Sequence, residues 1–248
     1  MGAENITSLG FWENFWTSSE KTSSLINLAY QPPFHRLLER HIPKSNGRAI
    51  EIGCFPCNFL IYLSKKFGYF PEGIDFMGET NDTCTKNFIS NRITEFKLYN
   101  ADFIKWKTDN RYSLVSSFGF IEHFKNPVEV IEKHLELLES GGTLLIEVPN
   151  FRGLRGFIAR FTDKENMSKH NLEVMDLQFY KTIAERYNLD VKYLGYYGLF
   201  EYSWINPCPS FSQNLVYYFF RIISKLTFKF NFQNRFFSSW IFFIARKK

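Results

Sequence analysis

Residues 48–76 read RAIEIGCFPCNFLIYLSKKFGYFPEGIDF, which is a short apolar strand, a tight turn, an amphipathic helix and a second strand. Strands that are connected by a helix usually pair in parallel, because the helix carries the chain back to the edge where the first strand began. A parallel sheet needs helices on both of its faces. This stretch therefore predicts an α/β fold built on a parallel sheet.

The same alternation continues along the chain. The strand candidates are residues 48–52, 70–75, 94–99, 112–118, 142–148, 190–196 and 239–246. The helix candidates are residues 32–41, 57–67, 79–91, 127–139 and 173–187. Repeated strand–helix units with short connections predict a doubly wound, mostly parallel sheet of seven strands.

The 248 residues, 45% of them hydrophobic, are enough for one α/β domain with additions. We predict a single domain, 1–248. It begins with an N-terminal lead-in, 1–45, which contains the aromatic stretch LGFWENFW and a helix. A core, 48–196, follows, and an insertion, 197–236, precedes the last strand, 239–246.

The net charge of +5 is small, and no motif that binds DNA or RNA is present, so we expect no nucleic-acid partner. The N-terminus lacks the charged and apolar regions of a signal peptide, and no apolar run approaches the roughly 18 residues of a spanning helix. A cytoplasmic protein is expected. The sequence gives no indication of the oligomeric state.

The chain after Glu201 contains seven lysines and arginines, no acid and many aromatic residues. Its segment 214–230, NLVYYFFRIISKLTFKF, would place basic side chains four apart along an apolar helix. Such a helix can cover a binding site with its charged edge in water, or lie on an anionic membrane surface. Both interpretations stay open, and peripheral membrane contact is one of them.

The turn Cys54-Phe55-Pro56-Cys57 allows three interpretations. The C-x-P-C spacing at a helix N-terminus is that of a thiol redox site. One C-x-x-C is also half of a zinc site, but Cys84, Cys208 and the histidines are scattered, so no metal site is predicted. Four cysteines in a chain of this length indicate no disulfide framework. The third interpretation is a nucleotide-binding loop.

The quoted stretch AIEIGCFPCNFLIYLSK resembles motif I of the class I S-adenosylmethionine-dependent methyltransferases, [DE]-x-G-x-G-x-G. Glu51 and Gly53 match, while Phe55 and Cys57 stand where the second and third glycines would be. The resemblance implies that this turn, Cys54 included, holds the methionine part of the cofactor. It also implies a Rossmann-like methyltransferase fold, in which Cys54 and Cys57 act as small fillers.

Three further stretches resemble later motifs of that family in the same order. They are EGIDF at 72–76, NADFIKW at 100–106 and the block at 112–151, which includes EHF, a Gly-Gly turn and EVPN. By this resemblance Asp75 would bind the ribose hydroxyls, Asp102 the adenine amino group and the backbone of Phe103 the adenine ring. The neighbouring Phe76 and Phe118 complete the predicted cofactor-binding residues.

The resemblance implies transfer of a methyl group from S-adenosyl-L-methionine to a small-molecule acceptor, leaving S-adenosyl-L-homocysteine. We expect an oxygen nucleophile on the acceptor, and acceptor-binding walls from the lead-in and the insertion. The candidate catalytic residues are Glu122, His123 and His170, with Glu147 and Asn150 as further residues that could meet the substrate. Two alternatives remain: a non-catalytic binding protein on the same fold, and a thiol oxidoreductase that uses Cys54 and Cys57.

Overall fold

The computed structural model describes residues 3–17, 30–78, 80–162, 164–198 and 233–248, together with the single positions Leu215, Tyr218, Phe219 and Ile222. Most of the predicted insertion, 197–236, lies outside these described residues. Its proposed roles therefore stay predictions, as does the division of the chain into lead-in, core, insertion and last strand.

Seven strands form one sheet. They are β1 (Arg48–Ile52), β2 (Phe70–Asp75), β3 (Lys97–Asn100), β4 (Tyr112–Phe118), β5 (Leu138–Pro149), β6 (Asp190–Tyr197) and β7 (Trp240–Arg246). The order across the sheet is β3-β2-β1-β4-β5-β7-β6. The first five strands are parallel, and β7 runs antiparallel to both of its neighbours. The prediction of a doubly wound, mostly parallel sheet of seven strands is confirmed.

Eight α-helices accompany the sheet among the described residues. They are α1 (Leu9–Thr17), α2 (His35–His41), α3 (Asn58–Phe67), α4 (Thr80–Ser90), α5 (Pro127–Leu137), α6 (Leu154–Thr162), α7 (Lys164–Met167) and α8 (Leu177–Arg186). Short 3₁₀ turns cover Ile121–His123 and Leu172–Met175. The helices α1, α6 and α7 were not predicted from the sequence.

Several predicted element boundaries are wrong, two of them for local reasons. The helix predicted to reach residue 139 ends at Leu137, because Leu138 already pairs with Tyr112 of β4. The helix predicted from residue 173 is interrupted at Asp176, whose carboxylate accepts the N–H of Gln178 and caps the start of α8. The third strand is also shorter than predicted and shifted by one residue at its end.

Alternating side chains of each strand pack on opposite faces of the sheet. Ile50 and Val115 lie in one buried cluster with residues of α5 and α8. Their neighbours Ala49 and Leu114 lie in a second cluster with residues of α2 and α3. The central strands are therefore apolar on both faces, which explains why their sequences do not alternate between polar and apolar residues.

The order of strands reverses between β1 and β4, since β1 connects outward to β2 while β4 lies on its other side. At such a point the loops after the two strands turn in opposite directions and leave a crevice beyond their carboxyl ends. The loops that begin at Gly53 and Gly119 flank this crevice. The topology alone therefore fixes where a ligand can bind.

Glu72 is fully buried at the amino half of β2 and holds three partners. Its Oε1 accepts a hydrogen bond of 2.7 Å from Arg48 Nε, and its Oε2 accepts the hydroxyls of Tyr99 and Tyr112 at 2.9 and 3.0 Å. Removing the Glu72 carboxylate leaves the guanidinium of Arg48 and the hydroxyls of Tyr99 and Tyr112 without their hydrogen-bond acceptor. Polar groups that lose their partner in a buried site lower the stability of the fold.

We expect Glu72→Ala to lower the free energy of unfolding by about 3 kcal/mol, at the lower end of the range because Arg48 is partly exposed. Urea titration followed by circular dichroism measures this change. Glu136→Ala, which changes an exposed acid of α5, is the matched control and should stay within about 0.5 kcal/mol of the parent. Equal effects in the two variants would contradict the assignment of this network.

Candidate functional site

One cavity of about 270 Å³ lies in the crevice at the carboxyl ends of β1, β2 and β4. The eleven residues predicted to bind the cofactor or to act in catalysis all line it: Glu51, Gly53, Cys54, Asp75, Phe76, Asp102, Phe103, Phe118, Glu122, His123 and His170. Residues from five separate loops thus meet at one place. Their individual roles stay predictions, but their predicted proximity is a property of the structure.

The turn after β1 begins with a glycine that the geometry requires. Gly53 has a φ of 70°, a conformation that favours glycine, and a Cβ there would lie 2.6 Å from the ring of Phe120. Cys54 packs against Gly73 of the neighbouring strand, where a Cβ would lie 2.6 Å from the cysteine sulfur. The interpretation of Cys54 as a small filler agrees with this packing.

Cys57 does not pair with Cys54, as a thiol redox site would require. It forms a disulfide with Cys84 of α4, while Cys54 remains a free, buried thiol. The expectation that the chain has no disulfide is therefore wrong: α4 packs over the turn and brings Cys84 next to it. Burial, together with the nearby charges of Asp75 and Glu51, raises the pKa of Cys54, so its reactive thiolate is disfavoured. The thiol oxidoreductase interpretation loses its chemical basis.

Asp75 ends β2 and fixes the turn from the opposite side. Its two carboxylate oxygens accept the N–H groups of Phe55 and Met77 at 3.1 and 3.0 Å. Burial raises the pKa of Asp75, and these backbone hydrogen bonds oppose that shift. The carboxylate also lines the cavity, so it both shapes the turn and is available to a ligand.

Glu51 lies deeper, at the end of β1. Burial raises the pKa of its carboxyl well above the usual value. Its Oε2 is buried and has no hydrogen-bond partner among the described residues. A buried, unpaired carboxylate oxygen beside a cavity is a strong site for a cationic or hydrogen-bond-donating group of a ligand.

Asp102 lies on the loop after β3, next to the β2 end, and is only half-buried. Its Oδ1 accepts the N–H of Ile104 at 2.9 Å, which holds the loop in a tight turn. Phe103 follows and packs edge-on against the rings of Phe120 and His134 at 5.9 and 5.1 Å. Asp75 at the end of β2 and Asp102 after β3 therefore flank one crevice, as predicted.

Glu122, His123 and His170 form a compact cluster in which one ligand atom from each residue lies within 4.8 Å of the others. His123 Nδ1 lies 2.9 Å from the carbonyl of Lys169, and His170 Nδ1 lies 2.7 Å from the carbonyl of Asn166. Both Nδ1 atoms must therefore carry the hydrogen and donate it. Each Nε2 atom is left with a lone pair.

The electrostatics of this cluster bear on which of the candidate catalytic residues can act as a base. Burial, and secondarily the charge of His170, lowers the pKa of His123 to about 3. Burial likewise lowers the pKa of His170 to about 4. Both imidazoles are neutral at pH 7 and bind a further proton weakly. His123, one of the candidate catalytic residues, is therefore a weak base, and the two imidazoles are better suited to accept hydrogen bonds.

The basic groups of the cavity are carboxyls. Burial raises the pKa of Glu147 to about 8, although the charge of Arg155 opposes the shift. Burial and the charge of Glu147 raise the pKa of Glu122 well above its usual value. Two buried carboxyls that influence each other titrate as a coupled pair. This pair can take up a proton near neutral pH, where an ordinary carboxylate cannot.

The lead-in covers the cavity from above. Its backbone pairs with the loop before α5: Ile6 N–H donates to His123 O at 2.7 Å, and Lys125 N–H donates to Glu4 O at 3.0 Å. From there α1 crosses the cavity. Trp12 packs edge-on against His123 at 4.8 Å, and Trp16 against Phe55 at 5.3 Å. The predicted contribution of the aromatic lead-in to the walls agrees with this arrangement.

Sequence reasoning missed Arg155, which lines the cavity from α6 and lies close enough to influence Glu147 and Glu122. The spacing of apolar residues in LRGFIARF is helical and could have revealed α6. Asn150, conversely, does not line the cavity. It is buried and donates to the carbonyls of Arg235 and Ser238 at 2.9 and 2.8 Å, so its role is structural.

Within the described ranges, two groups of side chains have donor atoms close enough to share a cation. They are Cys54, Cys57 and Cys84, and Glu122, His123 and His170. In the first group two sulfurs are joined to each other, and in the second the guanidinium of Arg155 is a neighbouring positive charge. The sequence prediction of no metal site stays a prediction.

Comparisons with known proteins bear on the fold and on the family. A family model described as "Methyltransferase domain" matches residues 25–194. (S)-Coclaurine N-methyltransferase from Papaver somniferum is 26% identical over 115 residues, which cover 44% of this chain and 32% of that protein. (S)-Tetrahydroprotoberberine N-methyltransferase from Eschscholzia californica is 24% identical over 159 residues, covering 62% of this chain and 40% of that protein.

Solved structures share the architecture. A SAM-dependent methyltransferase from Thiobacillus denitrificans, in complex with S-adenosyl-L-homocysteine, matches with a TM-score of 0.62 and 12% identity. The match covers 96% of this chain and 98% of that chain, and it supports the fold. The sequence matches span 32% and 40% of the two curated relatives, well under two thirds of their length.

Proposed function

This chain belongs to the class I S-adenosylmethionine-dependent methyltransferase family, and on that premise we propose that it methylates an amine nitrogen of a small, largely apolar acceptor. The observation that carries the proposal is the buried carboxyl pair, Glu122 and Glu147, in a cavity that is rich in aromatic side chains and also contains the predicted cofactor residues. S-adenosyl-L-methionine is the methyl donor, and S-adenosyl-L-homocysteine is the product that remains in the cavity after transfer.

The residues at the β1 and β2 ends fit this cofactor. The unpaired Oε2 of Glu51 suits the ammonium of its methionine part, and the carboxylate of Asp75 suits the ribose hydroxyls. Asp102 and the Phe103 backbone are assigned to the adenine. When bound, the cofactor supplies a methyl group on a positively charged sulfur, so little activation by the protein is needed.

The chain's own contribution is then orientation and exclusion of water. A nucleophile that is held in line with the methyl group gains much of the rate from proximity alone. Trp12, Trp16 and Phe55 enclose the cavity between α1 and the β1 turn. The free Nε2 atoms of His123 and His170 accept hydrogen bonds from the acceptor and set its orientation.

A proton must leave an ammonium before its nitrogen can attack. Proton transfer is most effective when the two pKa values lie close together. A carboxyl with a pKa of about 8, as for Glu147, is well matched to an ammonium. The pKa of an aliphatic hydroxyl lies several units above that of an ammonium. A carboxyl with a pKa of about 8 is therefore less well matched to a hydroxyl. The oxygen nucleophile expected from the sequence is therefore the rival proposal, and the two relatives named as N-methyltransferases also favour nitrogen.

Binding of S-adenosyl-L-homocysteine tests the cofactor assignment independently of any acceptor. We expect a micromolar dissociation constant by isothermal titration calorimetry. At a hundredfold excess over that constant, the ligand should stabilise the fold by about 2.7 kcal/mol, seen as a higher melting temperature. No binding at millimolar ligand would remove the proposal. Inosine at the same concentration is the control for unspecific binding.

The acceptor class is tested by turnover. Arylalkyl amines and alcohols of matched size are incubated with S-adenosyl-L-methionine, and the methylated products are identified by mass spectrometry. Methylation of amines alone supports the nitrogen proposal. Methylation of alcohols alone would restore the oxygen nucleophile. Cofactor binding without turnover on any acceptor would favour the non-catalytic binding protein.

A further inference from the structure

Four phenylalanines form an exposed aromatic patch beside the cavity. Phe157 and Phe161 project from α6 and are 58% and 67% exposed, and Phe236 and Phe237 on the turn before β7 are 54% and 42% exposed. The two groups are adjacent, because Leu154 N–H donates to Phe236 O at 2.8 Å. Exposure of this much aromatic surface is unusual and marks an interaction site.

A second apolar surface lies on the insertion. Leu215, Tyr218, Phe219 and Ile222 are helical and between 57% and 65% exposed. Tyr218, Phe219 and Ile222 follow Leu215 by three, four and seven residues, a spacing that places the four side chains on one face of a helix. That face is turned to solvent rather than to the core. The other large hydrophobic side chains that the structure finds exposed are Leu9, Ile89 and Val191.

The surroundings of the aromatic patch are basic. Arg160 on α6 and Arg235 on the turn are exposed and form no salt bridge with a carboxylate among the described residues. The nearby acid Asp176 is paired with Arg152 at 2.5 Å, and Glu165 is paired with Lys169 at 2.8 Å. The sequence adds Arg221, Lys225 and Lys229, and no acid follows Glu201.

Exposed aromatic side chains beside exposed arginines complement an anionic lipid surface, where rings enter the headgroup region and cations meet phosphate. A second copy of this chain would bring the same positive charges together, so charge disfavours it as the occupant. None of the helices in the described part of the chain is long and apolar enough to cross a bilayer.

We propose that the aromatic patch, together with the exposed side chains of Leu215, Tyr218, Phe219 and Ile222, docks this protein on the surface of an anionic membrane. The patch occupies the outer face of α6, while Arg155 on the inner face of the same helix lines the cavity. Docking therefore brings the acceptor end of the cavity next to the bilayer. This orientation suits an acceptor that partitions into lipid.

The test is cosedimentation of the full chain with vesicles. Vesicles of phosphatidylcholine alone are compared with vesicles that also contain phosphatidylglycerol, at low and high salt. We expect binding to the mixed vesicles that weakens as salt is added. The double variant Phe157→Ser/Phe161→Ser should bind about tenfold more weakly, because it loses two apolar side chains from the contact.

Ile89→Ser is the matched control, since Ile89 is 53% exposed on α4, away from the patch. It should bind vesicles as the parent does. Melting temperatures of all variants show that each one is folded. The pair Arg160→Gln/Arg235→Gln provides a second measurement, which should reduce the preference for phosphatidylglycerol while all aromatic side chains remain.

Three results would overturn the proposal: no vesicle binding by the parent, equal binding by the Phe157→Ser/Phe161→Ser variant, or equal binding to both vesicle types. Sedimentation velocity measures the oligomeric state of the parent and of the Phe157→Ser/Phe161→Ser variant. A parent that is dimeric and a patch variant that is monomeric, with neither bound to vesicles, would assign the patch to self-association instead.

Discussion

Replacing Asp75 with alanine is expected to weaken the binding of S-adenosyl-L-homocysteine about 100-fold, or about 2.8 kcal/mol. The carboxylate is assigned to two ribose hydroxyls, and hydrogen bonds to a charged acceptor are worth roughly twice those to a neutral one. It also holds the N–H groups of Phe55 and Met77. The variant therefore loses direct contacts and the shape of the turn together.

Asp75→Asn separates these two contributions. The amide keeps one oxygen for one of the two backbone N–H groups but lacks the charge, so we expect a loss of affinity of about tenfold and a smaller drop in melting temperature than in Asp75→Ala. The NH2 group of the amide faces the second N–H, which loses its acceptor. Calorimetric titration gives the affinities. Asp109→Ala, an exposed acid of the loop before β4 that does not line the cavity, is the control and should bind as the parent does.

An Asp75→Ala variant that melts normally and binds S-adenosyl-L-homocysteine with parental affinity would show that this carboxylate does not meet the cofactor. If the Asp75→Ala variant has a much lower melting temperature and binds weakly, a disrupted turn alone explains the loss of affinity. In that case the Asp75→Asn result decides, because this variant keeps an acceptor for one of the two backbone N–H groups of the turn. Loss of affinity in both variants supports the assignment.

The position of the site was predictable because the topology of the sheet determines it. Gly53, Asp75 and Asp102 each follow a parallel strand, and the carboxyl ends of such strands meet at one edge of the sheet. A short pattern in the sequence is enough to place residues of this kind. The turn residue Gly53 has a positive φ, which favours glycine, and a Cβ there would meet the ring of Phe120.

What the sequence did not predict depends on packing between distant segments. Cys57 and Cys84 are 27 residues apart, and they meet only because α4 packs over the turn. The weak basicity of His123 follows from its burial under Trp12 of α1, a helix that was itself not predicted. A pKa depends on the finished environment of a group, so the spacing of acids and histidines could nominate the site but not assign its base.

The proton acceptor is tested most directly by the pH dependence of turnover. Glu147 must be ionised to accept a proton, and burial raises its pKa to about 8. Turnover of an amine acceptor at saturating concentration should therefore rise with pH and level off above about 8. Because Glu122 and Glu147 are coupled, the inflection belongs to the pair. An inflection near the pKa of an ordinary histidine would instead return the role to His123.

Glu147→Gln should lower kcat by about 100- to 1,000-fold at pH 8 and remove the inflection, since a neutral amide cannot accept the proton. His170→Gln is the comparison. It removes an imidazole that is neutral throughout this range, so it should raise KM more than it lowers kcat and leave the inflection in place. Steady-state kinetics from pH 6 to about 9.5 measure both.

Stability provides a readout of Glu147 that does not depend on the acceptor. Its pKa is raised by burial, so the folded protein keeps the proton to about pH 8 while the unfolded chain releases it near 4.5. The folded state binds more protons in this window, and the free energy of unfolding must fall as pH rises through it. Glu147→Gln has no proton to lose and should show a shallower decline. If parent and variant instead decline in parallel, Glu147 is ionised at neutral pH, and the base must be sought elsewhere in the cavity.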